Sequence, residues 1–345
     1  MTPKQDLRRV DTNPDFWYPL IWSSEVKPGR ARACRFGGDP IVVYRGASGS
    51  VFALEDRCAH RQIPLHLGVV EGDTLKCGYH GWTYDCAGKC IDVPYLGRDR
   101  LPNGVKAYPV KEADGLIFVF PGDARKAAQH SLPSLGASQD RRYKTRRLNR
   151  EVACHYTFMH ENLFDMNHQF LHRRHMGTIK AICVGRRSGQ NWCEVDYRFS
   201  RVAGRSSVGE AAILNSIRSD KKAAGRDLMT IRTDYPYQNL KVWVTAGDDP
   251  ALDVWLAYTP LDKEQRTNRT FGYLSVKRPK IPGLIEAAWP FITWFAESIF
   301  KEDKAIVERE QLAYDMQGAD WNNEVFPAIR DLRELLVRCG HASII

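Results

Sequence analysis

Two short segments constrain this chain more than any other part of it. One is Cys58-Ala59-His60; the other, after sixteen intervening residues, is Cys77-Gly78-Tyr79-His80. Each falls in a loop beside a predicted strand, so the fold must bring two loops together. Two thiolates and two imidazoles at this spacing point to a metal site. One solution is a tetrahedral zinc site. The other is a two-iron, two-sulfide cluster, with thiolates on one iron and imidazoles on the other. Each loop here mixes one cysteine with one histidine, whereas zinc fingers group like with like, so the pattern favours iron. Pro64 and the neighbouring glycines suit two tightly folded loops.

The rest of the chain is globular in composition. Its 345 residues are 43% hydrophobic, 11% aromatic and 26% charged, which excludes a disordered or collagen-like chain and predicts about two domains. Nine cysteines, an odd count, with no apolar leader in MTPKQDLRRVD, predict a reducing, cytoplasmic setting and no disulfide framework. Cys86 and Cys90 read as small core residues. No apolar run is free enough of charge to predict a membrane span; the best candidate, residues 283–300, contains Glu286, Pro290 and Glu297. The formal charge of +9 allows an acidic or anionic partner. Its densest basic run, Arg141 to Arg150, reads as a solvated face or edge strand near a domain boundary.

Short β-rich runs such as Ile41–Tyr44, Val51–Leu54 and Leu116–Phe120 predict a small all-β domain over residues 16–123, after an N-terminal segment of residues 1–15. Residues 124–345 read as a second domain: strands between about 192 and 277, helices at 154–175 and from Gly283 onward. The fold class is therefore α+β, an antiparallel sheet flanked by helices in its second domain. Aromatics of this sheet region (Tyr235, Tyr237, Trp243, Trp255, Tyr258, Tyr273) are expected mostly to pack, with some facing a pocket.

The segment 154–175 carries a second constellation. Glu161, Asp165, His168, His172 and His175 recur every three or four residues, so a continuous helix would place them on one face. Apolar residues occupy the rest of that helix surface. A buried ionisable stripe needs partners, and a metal supplies them. The alternative is a solvated stripe.

The residues then resemble a known family. Arg61, Pro64, Leu65, Gly68, Gly81 and Trp82 complete C-x-H-R-x-x-P-L-x-x-G and C-x-x-H-G-W, which resembles the Rieske signature, here without the disulfide cysteines of respiratory Rieske proteins. Gln62 stands where relatives often carry a small residue. With E-N-x-x-D-x-x-H at residues 161–168, the chain resembles, over its whole length, the terminal oxygenase subunits of Rieske non-haem iron oxygenases, of the monooxygenase or O- or N-demethylase type. The resemblance implies a Rieske 2Fe–2S cluster on Cys58, His60, Cys77 and His80, and a mononuclear Fe(II) held by two histidines and a carboxylate. His168 matches the first histidine. The family's second histidine falls on Arg173, so the position passes to His172 or His175, with His172 favoured. Lys301-Glu302-Asp303-Lys304 resembles the late pattern supplying the carboxylate, which makes Asp303 the choice ahead of Glu302, Glu308 and Asp315. Asp165 resembles the family's bridging aspartate, between an iron-bound histidine and His80 of a neighbouring subunit in a homotrimer. Electrons are implied to come from NAD(P)H through a reductase, with or without an acidic ferredoxin, for O2-dependent hydroxylation or demethylation of an aromatic or other cyclic molecule. A Rieske electron carrier, or a zinc-dependent nucleic-acid binder, would lack the second site; neither nucleic acid nor membrane is expected as a partner.

Overall fold

The computed structural model describes residues 6–96, 101–204, 228–244 and 249–342. They divide into two compact units. One comprises Asn13–Leu132 with Thr259–Gln265; the other comprises the segment ending at Thr12, Pro133–Tyr258 and the chain from Arg266 onward.

The first unit is built on the strand Asp39–Arg45, hydrogen-bonded on one side to Arg30–Phe36 and on the other to Val51–Glu55. Successive side chains of a strand point to opposite faces. Ile41 and Val43 enter a core with Tyr18, Phe36, Ile117 and Val119. Val42 and Tyr44 enter a second core with Leu54, Leu65, Leu75 and Tyr84. Both faces are covered, which is why the sequence shows an unbroken apolar run there. The second core supports a small sheet of Val69–Glu71, Thr74–Lys76, Thr83–Tyr84 and Cys90–Asp92. The loop holding Cys77 and His80 joins its second and third strands. Cys90 is fully buried, but Cys86 is exposed, contrary to expectation. It sits in a turn where the Asp85 carboxylate accepts the Ala87 and Lys89 amides, and a turn tip has no core to enter. All nine cysteines are free thiols.

The second unit contains a seven-stranded sheet in the order Tyr143–Val152, Asn268–Lys277, Leu252–Pro260, Tyr237–Trp243, Leu228–Asp234, Trp192–Ala203, Thr178–Ser188. Four helices accompany it among the described residues: α1 (Tyr156–Phe164), α2 (Arg173–Met176), α3 (Leu284–Gln317) and α4 (Pro327–Cys339). The basic run lies largely on the edge strand Tyr143–Val152, yet its charges are used. Arg146 and Arg150 both bind Glu297 of α3, and Lys144 lies 4.9 Å from the centre of the Trp289 ring. α3 begins within the apolar segment 283–300 and buries Ile285, Ile292 and Phe295 against Leu274 and Val276 of the sheet. An adjoining face exposes Phe291 and Trp294, so the segment is not enclosed as a simple core helix would be. No described helix is long and apolar enough to cross a membrane.

The expected continuous helix over 154–175 is not what forms. α1 ends at Phe164; Asp165 takes an extended conformation (φ −89°, ψ 97°); Met166–Phe170 is a 3-10 turn; α2 follows. The Asp165 carboxylate accepts the Asn167 amide at 2.8 Å, offering the backbone an alternative to helix continuation. The break also sends Glu161 away from the histidines. Glu161 joins an alternating chain of buried and half-buried charges, Arg8–Glu161–Arg333–Asp320, with Arg333 at 2.5 Å from each acid. This chain ties the N-terminal segment, α1 and α4 together. Burial pushes the Asp320 carboxyl up, but Arg333 overcomes this and holds it below its ordinary value of 3.8. Its contribution is therefore present above that value and is lost as pH falls through the lowered one. Arg333→Met should cost about 3 kcal/mol by leaving Asp320 without its cation, while Glu161 keeps Arg8. In thermal unfolding against pH, the gap from the parent protein should be full at neutral pH and shrink in acid below about pH 4. A gap that is flat across this range would show that the charges are not the cause.

Candidate metal centres

The four residues of the first constellation meet at two loop tips. Gly68 allows the approach: a Cβ there would stand 2.1 Å from the Lys76 carbonyl oxygen. Gly81, just past His80, has φ +73°, which glycine adopts without strain. Gln62 sits at φ 60°, in the left-handed region that residues other than glycine seldom adopt. Cys58 and Cys77 are buried (2% and 4% exposed) with their sulfurs in contact; burial, with Cys58 beside it, pushes the Cys77 thiol up. His60 and His80 are exposed, with ring centres 4.7 Å apart, and His60 lies flat on Trp82. Two buried thiols and two adjacent outward imidazoles fit a cluster with one iron on each pair. Sequence reasoning missed Tyr84. Its hydroxyl lies 3.2 Å from Cys58 Sγ and accepts the Ala59 amide at 3.0 Å, leaving its proton for the sulfur. No motif marks it; only its strand position turns it inward.

The second constellation is assembled from the 3-10 turn, α2 and α3. Donor atoms of His168, His172 and Asp303 all lie within 4.8 Å of one another. Asp303 Oδ1 is 3.0 Å from His172 Nε2 and 3.7 Å from His168 Nε2. His172 Nε2 and Asp303 Oδ1 are buried and make no well-formed hydrogen bond. Each imidazole is tied through its other nitrogen: His172 Nδ1 to Glu302 Oε2 at 2.8 Å, and His168 Nδ1 to the main-chain carbonyl of Asp165. Such contacts fix the tautomer and aim Nε2 at a metal. Burial would depress the His172 pKa, but Asp303 and Glu302 outweigh it and raise it. Two imidazoles and one carboxylate on one side of a cavity are the donor set that suits ferrous iron with open positions.

The other candidates stand elsewhere. His175 Nε2 faces Glu302 Oε1 at 3.6 Å. Glu302 holds His172 from outside; Glu308 accepts the Ala153 amide, and Asp315 pairs with Gln311 and Arg266. The Asp165 carboxylate caps Asn167, so its contact with His168 runs through the backbone.

Comparison with known proteins recognises both parts of the chain, in the same order. Residues 16–109 match the Rieske [2Fe-2S] domain, and residues 152–328, half of the chain, match the Vanillate O-demethylase oxygenase C-terminal domain. The chain is 31% identical to the 4beta-methylsterol monooxygenase of Methylococcus capsulatus over 96% of its own length and 89% of that protein. The chain belongs to the Rieske non-haem iron oxygenases. It is also 28% identical to the oxygenase component of dicamba O-demethylase from Stenotrophomonas maltophilia, over 78% of this chain and 79% of that one. The crystal structure of dicamba monooxygenase bound to dicamba shares the fold, with a TM-score of 0.73 at 23% identity over 94% of this chain and 97% of that one. The protein is thus a terminal oxygenase component. It carries one Rieske 2Fe–2S cluster and one mononuclear iron, receives electrons from a donor partner, and acts on a small molecule with O2. The electron-carrier and zinc-binder alternatives are set aside.

The oxygenase has a cavity between sheet and helices, beside His168, His172 and Asp303. Its walls are Leu240, Val242, Leu252, Val254, Leu256 and Leu274 from the sheet, and Phe295, Ala296, Ile299 and Phe300 from α3. Beyond the three donor residues only Asn162, Gln169 and Tyr258 are polar among its described lining residues. Two of these are already engaged: Tyr258 donates to Gln238 at 2.9 Å and Gln169 to the Met166 carbonyl at 2.5 Å. No described lysine or arginine lines the cavity. Of the six sheet aromatics considered from sequence, only Tyr258 lines the cavity; Tyr235, Tyr237, Trp255 and Tyr273 are packed in the interior.

Tyr84→Phe tests the cluster surroundings. A hydroxyl donating to a ligand sulfur favours the reduced, more negative state. The variant should keep its visible Rieske spectrum and show a lower midpoint potential in redox titration. An unchanged potential would mean the hydroxyl does not reach the sulfur in the loaded protein.

Proposed function

We propose that this oxygenase hydroxylates or oxidatively demethylates an uncharged, multi-ring hydrophobic molecule of the methylsterol class. The single observation that carries the reading is the cavity lining. A carboxylate-bearing substrate would need a cation or several free donors to offset its lost hydration, and the described walls offer neither. An apolar ring system would gain from burial against leucine, valine and phenylalanine side chains. The full-length likeness to a 4beta-methylsterol monooxygenase supports the same class.

In this reading residues 16–123 form the cluster domain, with Cys58 and Cys77 on one iron and His60 and His80 on the other. Residues 124–345 form the catalytic domain, with His168, His172 and Asp303 holding the mononuclear iron. When bound, that iron supplies the centre at which O2 reacts beside the substrate. The chain's own residues orient and exclude. Glu302 and the Asp165 carbonyl hold the two imidazoles, and the apolar walls keep water away and present the substrate to the donors. Asp165 is positioned to join subunits. Its Oδ1 is used on Asn167, and Oδ2 has no partner among the described residues. It would accept a hydrogen bond from His80 of the partner subunit in a closed homotrimer. The electron donor is a reductase, directly or through an acidic ferredoxin that the basic surface favours, and the setting is cytoplasmic.

Two measurements test this. Iron counting on purified variants should give about three per chain for the parent. His172→Ala should lose one iron with the Rieske spectrum intact, His175→Ala should lose none, and Asp165→Asn should keep all and lose turnover. Loss of iron in His175→Ala but not in His172→Ala would reverse the ligand assignment. The substrate class is read by equilibrium binding. A 4-methylsterol delivered from cyclodextrin should bind saturably and be oxidised in the presence of donor, while vanillate and dicamba should not compete. Tight binding of the aromatic acids instead of the sterol would overturn the reading.

A further inference from the structure

We propose that the outer face of the first turns of α3, with the residues just before it, docks on an anionic lipid surface from which the oxygenase draws its substrate; this rests on the hydrophobic-substrate reading. Ile281, Leu284, Phe291 and Trp294 are exposed at 64%, 36%, 52% and 56%. From Leu284 their spacing of seven and three residues keeps them on one helix face. The adjoining face of the same helix buries Ile285, Ile292 and Phe295, and its next turns give Phe295, Ala296, Ile299 and Phe300 to the cavity wall. One helix is thus a cavity wall on its inner side and an uncovered apolar surface on its outer side.

Charge selects the occupant. Both acids of this half of the helix are neutralised from within: Glu286 by Arg278 at 2.6 Å and Lys144 at 3.8 Å, Glu297 by Arg146 at 2.5 Å and by Arg150. Lys280, just ahead of the helix, and Lys301, about two turns beyond Trp294, make no ion pair among the described residues. Arg174 makes none either, and it lies on α2, whose His175 ring packs 5.7 Å from Trp294. Exposed Phe and Trp with unpaired cations around them match the boundary between headgroups and acyl chains. An acidic protein partner would use the cations but leave the aromatic face unexplained. A water-insoluble substrate resides in lipid, so docking there places the cavity wall next to its supply.

The test is co-sedimentation of the loaded, full-length oxygenase with phosphatidylcholine vesicles, with and without phosphatidylglycerol. The parent protein should bind the anionic vesicles, with binding weakened by salt. Phe291→Ser with Trp294→Ser should weaken it at least about tenfold, since two exposed aromatic contacts are removed. Neither residue lines the cavity, so sterol binding from cyclodextrin should be unchanged, which also reports that the variant is folded. Trp294→Phe should retain vesicle binding while losing part of the quenching by brominated lipid. Absence of vesicle binding in the parent, equal binding in the double variant, or a changed oligomer mass in the double variant would overturn the docking surface; the last result would assign the face to a contact between copies. Absent vesicle binding with intact sterol binding removes the docking surface alone. Vesicle binding without sterol binding overturns the substrate reading and, with it, the delivery role.

Discussion

The second unit is organised around two buried polar atoms that face each other without a proper hydrogen bond, His172 Nε2 and Asp303 Oδ1. Such atoms are costly unless something satisfies them. Everything near them fits that demand. Glu302, one residue before Asp303 on α3, takes the other nitrogen of His172, so a single helix supplies both a donor and the group that aims its partner. α3 is in turn clamped to the edge strand through Glu297, with Arg146 and Arg150. The basic run that looked like a solvated strand is therefore part of what fixes the position of Asp303.

The cluster unit meets a comparable demand by a different route. Buried thiols and outward imidazoles require one side of each loop to be dry and the other wet. The doubly buried strand Asp39–Arg45 provides the dry side, sending Val42 and Tyr44 toward the core that also holds Cys58 and Cys77. The glycines then let the two loops approach within van der Waals distance, which any side chain at Gly68 would prevent.

The cavity gives the oxygenase its chemical character. Polar groups at its wall are few, and two of those few spend their hydrogen bonds on neighbours. What remains is a hydrophobic chamber with one reactive corner. The same helix that builds this chamber leaves an apolar face uncovered, so substrate choice and surface character come from adjoining faces of one element.

The sequence alone carried whatever depends on residue type and short-range spacing. The two Cys–His pairs, the E-N-x-x-D-x-x-H segment, the K-E-D-K run and the alternation of β-rich and helical stretches were legible because loops, strands and helices leave local patterns. What it could not carry was the path of the backbone between Glu161 and His175. Helical periodicity put five ionisable residues on one face, but the Asp165 side chain captured the Asn167 amide and broke the helix. Glu161 then went to two arginines far away in the chain, and His175 turned to Glu302. The inward turn of Tyr84, the role of Glu302 beside His172, and the apolar lining gathered from strands and helices more than a hundred residues apart are likewise products of long-range packing. No local pattern encodes these, because each depends on which distant segment fills the space opposite.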